Sequence, residues 1–98
     1  MLSSEQRRRL STIAQSRDCL VTLGRAGMSP EFRERLSALL EQHELVKLRF
    51  GDHLESKAET AAGLAQATGS ELVRLIGNVA VFWKRNPDPE KRSIEVEP

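Results

Sequence analysis

Helical and strand patterns alternate along this chain, and the alternation narrows its fold to a few architectures. Ser3 and Gln6 form a capping-box pattern that opens a helix over about residues 4–16. A short apolar run at residues 19–23 then fits a strand, because it is bounded by polar and glycine residues. Ser29 followed by Pro30 is a strong signal for the start of a second helix, which we expect to end near His43.

The second half of the chain repeats this alternation and then ends differently. Residues 45–50 alternate between apolar and polar or basic side chains, which indicates a strand. Asp52, with Glu55 three residues later, predicts the cap of a third helix that runs to about Thr68. Residues 72–76 and 79–83 are two β-rich runs, and the Gly77-Asn78 pair between them predicts a hairpin.

These elements predict an α/β fold, called α+β in some schemes, with two layers and a four-stranded mixed sheet. Helices between the early strands imply right-handed parallel crossovers, and the final hairpin adds one antiparallel strand. Because the run from Arg85 to Pro89 carries two prolines, we expect residues 1–85 to form the domain and residues 86–98 a loosely held tail. With 98 residues, the chain is long enough for one modest core.

Catalysis finds little support in the sequence. The two histidines, His43 and His53, flank a strand and form no spaced ligand set with the single cysteine, so we expect no metal. The glycine patterns of Rossmann and P-loop nucleotide sites are absent, and no cofactor is expected. The chain also lacks an apolar run long enough to cross a membrane. We therefore expect a non-enzymatic cytoplasmic protein.

The segment most informative about function is Gly24-Arg25-Ala26-Gly27, which the capped helix at Ser29 follows closely. Two glycines allow the backbone to approach a ligand without interference from Cβ atoms. The N–H groups at the start of the following helix favour an anion, and Arg25 can add a charge-assisted hydrogen bond to phosphate. The segment is similar to the GxxG loop with which KH-type modules hold a nucleic-acid backbone. The plain alternative is a strand-to-helix turn.

Further basic residues follow the glycine segment. Net charge is only +1, but residues 1–30 carry five basic residues against two acidic ones. With four aromatic residues and no tyrosine, a base-stacking sheet is not expected, and contact would be mainly with the backbone and shape of a nucleic acid. Trp83 is expected to pack in the core or at its rim. The basic residues that could extend the loop's footprint, or alternatively form a solvated sheet face, are Lys47, Arg49, Arg74, Lys84 and Arg85.

Three segments occur in an order and at separations that resemble the CRM domain family, and in particular its small stand-alone bacterial members of the YhbY type. The resemblance covers about residues 5–85. The segments are Leu23-Gly24-Arg25-Ala26-Gly27-Met28, Gln42-His43-Glu44-Leu45-Val46-Lys47 and Leu75-Ile76-Gly77-Asn78.

The resemblance implies a fold similar to the C-terminal domain of translation initiation factor 3, with the last strand antiparallel inside a mostly parallel sheet. It also implies RNA as the partner, because bacterial members associate with precursors of the large ribosomal subunit. Plant members act in group II intron splicing. By carry-over, the loop of Gly24, Arg25, Ala26 and Gly27 would contact RNA.

The sequence therefore predicts a monomeric RNA-binding protein that acts on ribosomal RNA during assembly of the large subunit. Two other classes stay open. One is a protein-interaction module that docks on a ribosome-associated or other protein without touching RNA. The other is a small-molecule enzyme, for which the sequence supplies no acid–base pair.

Overall fold

A computed structural model of the protein describes residues 2–24, 29–51, 56–92 and 94. It confirms the predicted mixed α/β architecture, with three α-helices and a four-stranded mixed sheet. The elements follow in the order α1 (Ser4–Gln15), β1 (Cys19–Leu23), α2 (Pro30–His43), β2 (Leu45–Phe50), α3 (Lys57–Thr68), β3 (Glu71–Ile76), β4 (Val79–Trp83) and a short 3-10 helix (Pro89–Lys91).

The predicted starts of α1 and α2 are confirmed. The Ser3 hydroxyl accepts from the Gln6 backbone at 3.1 Å, and the Gln6 side chain accepts in return from the Ser3 backbone at 2.7 Å. The Ser29 hydroxyl accepts from the backbone N–H of Phe32 at 3.1 Å, with Pro30 as the first helical residue. Each serine thus satisfies a backbone donor that the helix leaves free.

The predicted start of α3 is wrong. The helix begins at Lys57, because Ser56 adopts the left-handed conformation with φ of 57°, which interrupts any helix entering from the preceding residues. Asp52 and Glu55, the residues on which that prediction depended, lie outside the described residues. The predicted C-terminal end at Thr68 is confirmed, and Gly69 follows it with φ of 67°.

The sheet has the strand order β1-β2-β4-β3. β1 pairs with β2 in parallel, whereas β4 pairs antiparallel with both β2 and β3. The last strand therefore lies inside the sheet and runs against its three companions, which confirms the topology that the resemblance implied. A bulge in β3 between Leu72 and Arg74 interrupts its register with β4.

The expectation of two layers is corrected, because helices cover both faces of the sheet. Helices α2 and α3 pack on one face through side chains such as Leu40 and Leu64, which share one buried cluster with Val46 and Phe82 of the strands. Helix α1 packs on the opposite face, where Leu10 contacts the other core cluster. Side chains of β4 point alternately to the two faces of the sheet and so belong alternately to the two clusters. Its last four residues are buried, so both faces are covered at this end of the strand. Trp83 is buried in the α1 cluster, which confirms packing as its role.

A side chain from α1 protects the exposed edge of the sheet. The Arg7 guanidinium donates to the carbonyl oxygen of Leu72 and, at 3.2 Å, to that of Val73, both at the bulge of β3. Edge strands present unpaired backbone groups that invite pairing with another chain. Arg7 satisfies two of these carbonyls and closes part of that edge.

The segment after β4 also differs from the expectation of a loosely held tail. Glu44, only 1% exposed, accepts hydrogen bonds through its carboxylate from the backbone N–H groups of Asn86 at 2.8 Å and Ile94 at 3.2 Å. Ile94 is buried against the α1 cluster, and Asp88 caps the 3-10 helix by accepting from the N–H of Glu90. The sheet ends at Trp83, and the buried carboxylate anchors described residues beyond it.

Candidate functional site

The ends of several strands meet where β1 and β2 finish, and we call this region the loop end. Gly24 follows β1 and Gly51 follows β2, and the Gly51 N–H donates to the Leu23 carbonyl at 2.9 Å. A Cβ added to Gly51 would lie 3.2 Å from that carbonyl and 3.8 Å from the Gly24 Cα. The hairpin lies at the same end, because the Phe50 N–H donates to the Asn78 carbonyl at 2.7 Å. Glycine at 51 therefore permits the close approach of the two parallel strand ends.

The structure describes two residues that bear on the predicted glycine loop, which are Gly24 after β1 and Ser29 before α2. A Cβ added to Gly24 would meet no described atom within 4 Å, so packing in the described structure does not require glycine there. Ser29 lies at the N-terminus of α2, where its hydroxyl is engaged in the helix cap. Arg25, Ala26 and Gly27 lie outside the described residues, and their predicted role stays a prediction.

The sheet surface beside the loop end is only partly covered by α1. We call this surface the open face. Arg49, Arg74 and Ile76 are exposed there, and Ile76 has 54% of its surface accessible. The strand register places its members in two cross-strand rows, Lys47–Val81–Arg74 and Thr22–Arg49–Val79–Ile76.

Two arginines of the open face have no partner in the described structure. Neither Arg49 nor Arg74 makes a hydrogen bond or an ion pair with another described residue. None of the residues in the two rows is acidic. Such a cluster of one sign attracts anions and is matched to a polyanion rather than to an internal carboxylate.

Lys47 shares the open face but has a structural contact as well. Its ammonium donates to the carbonyl oxygen of Arg17 at 3.0 Å and so ties β2 to the segment between α1 and β1. An ammonium carries three donors, which leaves further hydrogen-bonding capacity on the same side chain. Lys47 can therefore serve both the fold and a ligand.

The structure separates Lys84 and Arg85 from the other predicted site residues. Lys84 follows Trp83, which pairs with Leu45, the first residue of β2. The loop end adjoins Phe50, the last residue of β2. The two ends of β2 are about 17 Å apart at the usual rise of a strand. The Lys84 ammonium donates to the carbonyl of Thr68 at 3.0 Å, at the C-terminus of α3. Arg85 is exposed at this same end.

Sequence reasoning missed several residues of the site. Gly51 stands directly after β2 as Gly24 stands after β1, and this matched position was the signal that could have found it. Lys57 was also missed, and its ammonium donates to the Asn78 side chain, which joins α3 to the hairpin. The apolar members of the open face, Ile76 and Val79, were assigned to strands but not to a surface.

The described ranges lack two features typical of other protein classes. Over residues 2–24, 29–51, 56–92 and 94, no group of three or more His, Cys, Asp or Glu side chains is placed to hold a metal ion. The helices in these same ranges are all too short or too polar to traverse a bilayer.

The fold and the open face together define a small mixed α/β protein that presents a basic, partly apolar sheet surface. The model of the CRS1/YhbY (CRM) domain family matches residues 2–84, and the chain belongs to this family. The family membership confirms the resemblance inferred from the three sequence segments.

Named relatives match over nearly the whole chain. "Probable RNA-binding protein YqeI" of Bacillus subtilis is 29% identical over 97 residues, which span 98% of this chain and 99% of that protein. "Probable RNA-binding protein PA4753" of Pseudomonas aeruginosa is 24% identical, over 92% of this chain and 88% of its own. The solution structure of the Staphylococcus aureus protein SAV1595, for which RNA binding has been proposed, has a TM-score of 0.79 and 28% identity. It covers 97% of this chain and 100% of that one.

Proposed function

We propose that this protein binds RNA through the loop end and the open face. The observation that carries the proposal is the pair of arginines, Arg49 and Arg74, which have no described partners and lie in cross-strand rows without an acidic residue. Free guanidinium groups form charge-assisted, often bidentate hydrogen bonds with phosphate. The names of the relatives in Bacillus and Pseudomonas support RNA as the polyanion.

The loop end supplies the second part of the proposed interface. Gly24 leads into the segment that carries Arg25, and Ser29 opens α2 directly after it. The N-terminus of a helix favours a phosphate because its first N–H groups point outward and its dipole is positive there. In this proposal the loop positions one phosphate, and Arg49, Arg74 and Lys47 hold others along the sheet. The role is binding and not catalysis.

The proposed RNA is ribosomal, and the proposed role is in assembly of the large subunit. Support comes from the membership of the CRM family, whose bacterial YhbY-type members are associated with precursors of that subunit. Lys84 and Arg85 lie beyond the proposed footprint, because Lys84 is engaged with Thr68 at the far end of the sheet.

Matched charge reversals at the two ends of the sheet test the interface. Arg49→Glu, Arg74→Glu and Arg85→Glu change the net charge equally, so long-range attraction falls equally in all three. We expect each of the first two to lower affinity for a large-subunit ribosomal RNA fragment about tenfold. Each should also reduce the salt slope, which is the slope of log affinity against log salt concentration, by about one. Arg85→Glu should stay within about twofold of the unmodified protein, since it loses only the long-range part. Fluorescence anisotropy across a salt series gives both quantities, and equal losses in all three variants would refute the footprint.

Sedimentation of a cell lysate tests the ribosomal role. Co-migration of the protein with large-subunit precursors, lost on adding ribonuclease or raising salt, is the expected result. Co-migration that survives nuclease treatment would instead identify a protein-docking module. Migration at the top of the gradient in every condition would contradict ribosome association.

A further inference from the structure

A small cavity lies between α1 and the open face. Its volume is about 220 Å³, below the roughly 300–1,000 Å³ of sites that take drug-sized molecules. Ile76, Val79 and Val81 line the sheet side, and Ala14 closes the cavity beneath α1. A cavity of this size and apolar character suits one flat ring system rather than a larger ligand.

The rim of the cavity is basic. Lys47 and Arg74 line it, and the strand register places Val81 between them on the intervening strand. The two Cα atoms are therefore about 10 Å apart, at two strand spacings. Cations on two sides of an apolar floor are complementary to a ligand whose ring is apolar and whose flanking groups are anionic.

The α1 side adds hydrogen-bonding groups. Ser11 and Gln15 line the cavity one helical turn apart, so both side chains lie on the same face of α1. Neither the hydroxyl nor the amide bonds to another described residue. Each can donate and accept, which is what recognition of a base edge requires.

Ile76 gives the cavity an exposed apolar margin. At 54% exposure it is the more accessible of the two large hydrophobic side chains classed as exposed within the described residues, and Leu20 at 40% is the other. Leu20 is on edge strand β1 and does not line the cavity. Water-exposed isoleucine is unfavourable, so its cover by a ligand ring would contribute to binding.

We propose that this cavity takes the base of one unpaired RNA nucleotide. The proposal rests on the proposed RNA-binding function and specifies single-stranded RNA as its substrate class. The base lies on Val79, Val81 and Ile76, its edge meets Ser11 and Gln15, and Arg74 and Lys47 hold the flanking phosphates. A base in an RNA duplex is stacked and paired within the helix and cannot reach the cavity.

The test compares two RNAs and three variants of the full chain. The RNAs are a short oligouridine and a blunt duplex of the same length. Ile76→Ser removes the apolar margin, Ser11→Phe fills the cavity, and Leu20→Ser is the control at the other exposed hydrophobic residue. None of the three substitutions changes a charge. Far-UV circular dichroism and Trp83 fluorescence check that each variant is folded.

We expect Ile76→Ser and Ser11→Phe to weaken oligouridine binding about five- to tenfold. Their salt slopes and their affinity for the duplex should not change, and Leu20→Ser should bind both RNAs as the unmodified protein does. Removing the bases from the oligouridine should abolish the difference between Ile76→Ser and the unmodified protein.

The outcomes separate this inference from the proposed function. If the unmodified protein binds neither of these RNAs nor the large-subunit ribosomal RNA fragment, the proposed function fails and the cavity assignment fails with it. If it binds the ribosomal fragment but not oligouridine, the cavity assignment alone is refuted. If it binds RNA but both cavity variants bind oligouridine normally, only the cavity assignment is wrong. Equal losses for oligouridine and duplex would also refute it, as would a preference of the unmodified protein for the duplex.

Discussion

Charged side chains occur at both ends of the sheet, but they differ in whether the fold supplies their hydrogen-bond partners. At the end where β2 begins, which we call the tail end, Lys84 donates to the Thr68 carbonyl and Glu44 accepts from two backbone N–H groups. On the open face, which adjoins the loop end, Arg49 and Arg74 have no described partner. The comparison shows that Lys84 and Glu44 hold parts of the fold together, whereas Arg49 and Arg74 keep all their hydrogen-bonding capacity for a ligand.

The largest expected effect comes from the buried carboxylate of the tail end. Glu44→Gln keeps the shape of the side chain but offers one acceptor oxygen where two N–H groups are now satisfied. We expect the free energy of unfolding to fall by about 2–4 kcal/mol, because a buried donor loses a charge-assisted bond. Urea denaturation followed by the fluorescence of Trp83, the single tryptophan, measures this.

The matched control for that variant is Glu41→Gln, on the exposed surface of α2, the helix that ends just before Glu44. It should change stability by no more than about 0.5 kcal/mol. While folded, the Glu44→Gln protein should bind RNA normally, because the tail end is remote from the open face. Loss of RNA affinity without loss of stability would contradict the division between the two ends.

The next effect concerns the edge of β3. Arg7→Ala removes the donor from the Leu72 and Val73 carbonyls and should lower the free energy of unfolding by about 1–3 kcal/mol. Because the edge becomes unprotected, self-association should also increase with concentration. Arg8→Ala is the control, since Arg8 is exposed on the same helix. Denaturation and analytical ultracentrifugation provide the two readouts, and identical behaviour of the two variants would exclude an edge-protecting role for Arg7.

The smallest effect on stability is expected at Gly24, and it sharpens the contrast with Gly51. Gly51→Ala should destabilise the protein by about 1–3 kcal/mol, because its Cβ would press on the Leu23 backbone. Gly24→Ala should leave stability within about 0.5 kcal/mol, since the added Cβ meets no described atom. If a phosphate backbone approaches Gly24 closely, the same substitution should weaken RNA binding several-fold. Normal RNA binding by folded Gly24→Ala would remove Gly24 from the interface.

Local patterns along the chain were enough to place most of the fold. The capping box at Ser3, the Ser29-Pro30 start and the Gly77-Asn78 hairpin each depend on hydrogen bonds or dihedral angles within a few residues, and the structure contains all of them. The start of α3 was misplaced because the Asp52 and Glu55 pattern gives no warning of the left-handed Ser56. The three motif segments also identified the family correctly.

Only the tertiary structure decided how distant residues are used. Nothing near Glu44 in the sequence shows that its carboxylate anchors Asn86 and Ile94, because those contacts cross 42 and 50 residues. The covering of both sheet faces, which buries Trp83 under α1, depends equally on long-range packing. So does the separation of Lys84 from the basic open face. Sequence determines the helix starts and the hairpin turn because their hydrogen bonds join residues close along the chain, whereas the strand pairings and the partners of a charged side chain depend on which elements the fold brings side by side.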